Sequence, residues 1–67
     1  MEKMTIGEKI VVYRKRYSLK QYELAEKAGI TALTLVRIEN GRTTPQESTL
    51  RCIADALGVP VKELKDK

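Results

Sequence analysis

Few side chains in this chain of 67 residues can make or break a covalent bond. It has no histidine and a single cysteine, Cys52. No glycine-rich phosphate loop and no paired carboxylate site can be read. Catalysis therefore has no candidate residues, and neither a metal nor a cofactor is expected. Cationic and hydrogen-bonding side chains, by contrast, are clustered. Lys9, Arg14, Lys15, Arg16 and Lys20 fall between Glu8 and Glu23 with no acid among them. Gln21 follows directly, and Arg37, Asn40, Arg42, Thr43 and Thr44 form a second set. The balance of 13 Lys and Arg against 9 Asp and Glu leaves a net charge of +4. With a pI near 9.4, this favours an anionic partner. The chemistry on offer is non-covalent binding.

Positioning these groups falls to the stretch from Gln21 to Gly41. Leu24, Ala25 and Ala28 recur at helical spacing. Gly29 then supplies a left-handed turn, and Ile30 an apolar plug at the corner. Thr31 suits the N-cap of a second helix, which Gly41 ends. That helix has Leu35 and Ile38 on one side and Leu33, Val36, Arg37 and Asn40 on the other. Two helices joined by so short a turn form a helix-turn-helix, whose second helix can enter the DNA major groove.

The flanks read as helices too. Thr5-Ile6-Gly7-Glu8 has the spacing of a capping box, so a first helix starts there. Ile6, Ile10, Tyr13 and Tyr17 repeat along it and are expected to face the core. Leu19 is expected to pack inward. Lys20 stands where a capping residue is wanted, which leaves the start of the next helix unsettled. After Gly41, Thr44 offers a cap, Pro45 a first helical residue and Glu47 an early acid. Leu50, Ile53, Ala54 and Leu57 then make a buried stripe, with Cys52 as its small neighbour and Gly58 as its stop. Val59-Pro60-Val61 leads into a last short helix, with Leu64 closing the core. Residues 1–4 and 65–67 are expected to be loose. No strand, repeat or linker is read. The expected fold is all-α, a compact five-helix unit in a single domain over residues 1–67, its ordered core about 5–64. A chain this short buries roughly 60% of its unfolded surface. No apolar run could span a bilayer, and no apolar N-terminal signal region is read. The lone cysteine cannot form an internal disulfide, which suits a reducing cytoplasm.

Several anchored positions carry a resemblance to a known family. Gln21, Glu23-Leu24-Ala25, Gly29-Ile30-Thr31 and Arg37-Ile38-Glu39-Asn40-Gly41 resemble the phage repressor and Cro type of helix-turn-helix protein. IGEKIVVYRKRYSL is similar to that family's first helix, and TPQESTLRCIADALGVPVKEL to its fourth and fifth. The resemblance covers about residues 5–64. It implies a structural ion pair between Arg14 and Glu39. It also implies a phosphate contact by Gln21 at the start of the second helix. Asn40, Arg42, Thr43 and Thr44 are then expected on the other flank of the groove, with Lys20 and Arg16 adding charge. Lys20 departs from the family's usual capping residue.

The resemblance implies double-stranded DNA as partner, and the first turn of the recognition helix sets how bases are read. Relatives often carry Gln, Arg or Ser where this chain has Ala32 and Leu33. Thr31, Ala32, Leu33 and Val36 offer mainly methyl contact with thymine, and Arg37 offers a guanine contact or a phosphate clamp. Readout biased to apolar contact and DNA shape follows. The expected function is a sequence-specific transcriptional regulator, in particular a repressor. It would bind a palindromic operator as a homodimer in the cytoplasm, either as a prokaryotic nucleoid-associated protein or as one encoded by a phage or mobile element. The alternative is a helical protein-binding module, antitoxin-like or coactivator-like, that presents Leu33 and Val36 to a protein. No membrane contact and no small-molecule ligand are read. Val59, Val61 and Leu64 are a candidate dimer surface or simply close the core.

Overall fold

The computed structural model describes residues 4–65. The expectations of looseness at residues 1–3 and 66–67 lie outside the described residues. Among the described residues there are five helices and no strand. They are α1 (Ile6–Arg16), α2 (Gln21–Ala28), α3 (Ala32–Glu39), α4 (Glu47–Leu57) and α5 (Val61–Leu64).

Local chemistry explains most of their ends. The Glu8 N–H donates to Thr5 Oγ1 at 3.1 Å, and the Thr5 N–H donates to Glu8 Oε1 at 2.9 Å. Both bonds of a capping box are thus made. At α2 only half of one exists. The Lys20 N–H donates to Glu23 Oε1 at 2.7 Å, but the lysine side chain caps nothing. The helix still begins at Gln21, because Lys20 is extended and Glu23 satisfies one free N–H. Gly29 ends it with φ +75°, a backbone no Cβ tolerates comfortably. Thr31 caps α3 by accepting the Thr34 N–H at 3.1 Å.

Burial follows the apolar periods. Ile10, Leu24, Leu35, Ile38, Ile53 and Leu64 are the largest fully buried side chains. Each contributes about 1.5–3 kcal/mol by leaving water. Helix α3 is packed between α1 and α2, α2 rests on α4, and α5 closes against α4 and α1. At one crossing the backbones almost touch. A Cβ on Gly7 would lie 2.2 Å from the Ile38 carbonyl oxygen and 2.8 Å from that of Glu39. Only glycine lets α1 approach the end of α3 this closely.

Three expectations are corrected. Tyr17 is 49% exposed, not inward-facing. It is the C-cap of α1, where the backbone leaves helical geometry and the stripe loses its register. Helix α4 starts at Glu47, two residues later than Pro45. Gln46 is extended (φ −68°, ψ 162°), so neither Thr44 nor Pro45 can belong to the helix start. Pro45 is half-buried instead, lining a crevice with Ile6, Gly7 and Ile38. Cys52, the expected neighbour of the buried stripe, is exposed. Lys65 is pinned rather than loose: its ammonium pairs with Glu47 at 3.0 Å, and its carbonyl accepts Lys9 Nζ at 2.9 Å.

Candidate nucleic-acid interface

Helix α3 has eight residues and is about 12 Å long. The B-DNA major groove, about 12 Å wide, admits a helix by its diameter of about 10–12 Å. Its two sides differ as its sequence requires. Leu35, Ile38 and Glu39 are buried, while Ala32, Leu33, Arg37 and the C-cap Asn40 are exposed. Leu33 is 58% exposed, although nothing about a soluble globule calls for leucine there. Val36, expected beside it, is half-buried and presents only an edge. Thr31 is exposed and is the cap of the helix. Its oxygen accepts the Thr34 N–H, and its hydroxyl donates to Thr34 Oγ1 at 2.9 Å.

Glu39 is the only acid on α3 and belongs to the fold rather than the surface. Its side chain is 3% exposed. Arg14 Nε donates to Glu39 Oε2 at 2.8 Å and Arg14 Nη2 to Oε1 at 3.3 Å. This is the two-pronged geometry that planar guanidinium and carboxylate groups allow. Arg14 Nη1 donates to the Leu19 carbonyl at 2.9 Å, tying in the link between α1 and α2. Gln21 Nε2 completes the set by donating to Glu39 Oε1 at 2.8 Å. With its acid buried and neutralised, α3 shows the surface one charge, Arg37.

The Gln21–Glu39 bond escaped sequence reasoning, which placed Gln21 only at the helix start. No motif signals it, because it depends on how α2 crosses α3. Its effect is to bring the N-terminus of α2 beside the C-terminus of α3, where Asn40 follows. Lys20, Arg42, Thr43 and Thr44 are exposed on the segments flanking these two ends. Arg16 is not gathered with them. Its guanidinium lies 5.1 Å from the centre of the Tyr13 ring. It is about 200° around α1 from Arg14, in a groove shared with Met4, Val12 and Glu63. In that groove Tyr13 Oη donates to Glu63 Oε1 at 3.0 Å. The hydrogen bond to the Glu63 carboxylate, with some loss of water, holds the Tyr13 phenol above its ordinary range.

A short exposed helix, buried on its far side and set against a second helix across a glycine turn, is the helix-turn-helix arrangement, here within an all-helical, repressor-like fold. The chain belongs to the helix-turn-helix family, whose profile matches residues 12–64. The immunity repressor protein of Bacillus phage phi105 is 43% identical over 61 residues, which cover 91% of this chain and 42% of that protein. The HTH-type transcriptional repressor RghR of Bacillus subtilis is 34% identical over 64 residues, 94% of this chain and 47% of the relative. The chain therefore spans less than half the length of either. The N-terminal DNA binding domain of SinR from Bacillus subtilis superposes with a TM-score of 0.87 at 38% identity, covering 92% of this chain and 91% of that one. The DNA-binding domain of the P22 c2 repressor does so at 0.90 and 25%, covering 96% and 84%.

Proposed function

We propose that this protein is a repressor that binds a palindromic operator as a homodimer, with α3 in the major groove. The observation that carries the reading is the outward face of α3. Ala32, Leu33 and Arg37 are exposed on a helix whose other side is locked into the core. Leu33 and Ala32 lack side-chain hydrogen-bonding groups, so they discriminate bases by contact with thymine methyl groups. Arg37, one turn on, adds a guanine contact or a phosphate clamp. Lys20, Gln21, Asn40, Arg42, Thr43 and Thr44 hold phosphates on either side and set register without reading sequence. Arg16, held over Tyr13, contributes charge at longer range. The named relatives are repressors and DNA-binding domains, which supports the same reading. The activity is binding, not catalysis, and its setting is the cytoplasm.

Selection of bound duplexes from a random pool tests this. A palindrome rich in T opposite Ala32 and Leu33 is expected. Enrichment of no sequence at all would sink it. The exposed Leu33 also suits a protein partner, and that reading predicts no shift of any duplex in a gel, with capture of a protein that Leu33→Lys abolishes.

A further inference from the structure

We infer that Glu39 is a positioning residue for the phosphate contact of α2, acting through the side-chain amide of Gln21. The inference rests on the reading of Gln21 as a DNA ligand. Glu39 has two oxygens and three donors: Arg14 Nε on Oε2, and Arg14 Nη2 with Gln21 Nε2 on Oε1. The carboxylate is itself held by the two-pronged arginine, which is anchored at its third nitrogen by the Leu19 carbonyl. It therefore has no freedom to follow the glutamine. The glutamine must follow it.

A carboxamide is planar, and its Nε2 carries two N–H bonds at a fixed angle. Once one of them is given to Glu39, the direction of the other is determined. Gln21 is half-buried, so part of it stays open to a ligand at the α2 terminus. An unheld glutamine would spend rotamer freedom on meeting a phosphate. Here that freedom is already lost in the free protein. The same bond keeps the amide between a buried carboxylate and an incoming phosphate, two anions that would otherwise repel. Arg14 and Glu39 thus do more than hold α1 to α3. They aim a binding group that lies on neither helix.

The test is a cycle read on a duplex of arbitrary sequence at low salt. Gln21→Ala is compared in the unaltered protein and in the paired variant Arg14→Met with Glu39→Met, which leaves no buried charge unpartnered. In the unaltered protein Gln21→Ala is expected to weaken binding about tenfold, the size of one hydrogen bond to a charged group. In the paired background it is expected to weaken binding by less than about twofold, because the amide is no longer held. An equal loss in both backgrounds overturns the inference and leaves Gln21 a direct ligand only. No duplex binding by the unaltered protein removes the repressor reading and this one with it. Should the paired variant fail to fold, the Gln21 side-chain amide protons of the unaltered protein decide the matter by NMR. One proton is expected to be shifted and protected before DNA is added, and only the other to move on titration. Two protons at the shifts and exchange rates of a solvated glutamine amide in the free protein, or two that move together on titration, overturn the inference.

Discussion

Arg14 and Lys15 are neighbours in sequence and opposites in consequence. Arg14 serves Glu39 and the Leu19 carbonyl from a side chain only 12% exposed, whereas Lys15 is exposed. Removing one partner of a buried pair strands the other, at about 3–5 kcal/mol. Arg14→Ala is therefore expected to lower the melting temperature by well over ten degrees for a domain of this size, and Lys15→Ala to leave it nearly unchanged. Equal melting temperatures would show that the pair carries no weight. Tyr13 makes a second test. Its phenol is held above the ordinary tyrosine value by the Glu63 carboxylate, which accepts its hydrogen bond. The folded state therefore keeps this proton longer than the unfolded chain does. The contribution is present in full below about pH 10 and is lost as pH rises through the folded value. Melting scans between neutral and strongly alkaline pH are expected to show a decline in the unaltered protein that Tyr13→Phe lessens.

The helices meet on terms that single residues set. Gly7 is the clearest case, since an added methyl would strike main-chain oxygens of α3 rather than a side chain that could swing away. Gly7→Ala raises intrinsic helix propensity by about 1 kcal/mol, so a surface glycine would gain from the change. Here overpacking is expected to prevail, with a net loss of about 1–3 kcal/mol in urea denaturation. Because the strain falls on the carbonyls of Ile38 and Glu39, the variant is also expected to tilt α3 and weaken operator binding. A more stable Gly7→Ala protein would mean that α1 and α3 do not cross as described. Lys20 is the converse. It sits at an N-cap without capping, next to the exposed end of α2. Its charge there opposes the helix dipole, so Lys20→Ser is expected to stabilise the protein by about 0.5–2 kcal/mol in urea denaturation.

As a whole the molecule measures 32 × 22 × 19 Å. Adjacent half-sites on one face of DNA lie about 34 Å apart, so one copy reaches one half-site and a palindrome calls for two. Of the C-terminal residues considered for that contact, Leu64 is fully buried, whereas Val59 and Val61 pack on the core and remain half-buried. Phosphate contact predicts a steep dependence on salt. The logarithm of affinity is expected to fall against the logarithm of salt with a slope near −0.9 for each phosphate neutralised. Fluorescence titrations over a range of salt measure it, and a flat line would contradict a phosphate-bound complex.

The five helices and their core were legible in the chain because their signals are local. Thr5 finds Glu8, Thr31 finds Thr34, and each lies three residues from its partner. Leu50, Ile53, Ala54 and Leu57 share a face by spacing alone. The family pattern further pointed to Arg14 and Glu39, which stand 25 residues apart. Tertiary structure decided what depends on the angle between helices. It buried Glu39 and so stripped α3 of negative charge, turned Gln21 onto that carboxylate across 18 residues, and drew Lys9 to Lys65 across 56. It left Pro45 half-buried in a crevice with Ile6 and Gly7 ahead of α4, and let Tyr17 out of the core. A hydrogen bond within one helical turn follows from backbone geometry that every helix shares. A bond between helices exists only where packing has already fixed their separation, and no short stretch of sequence encodes that distance.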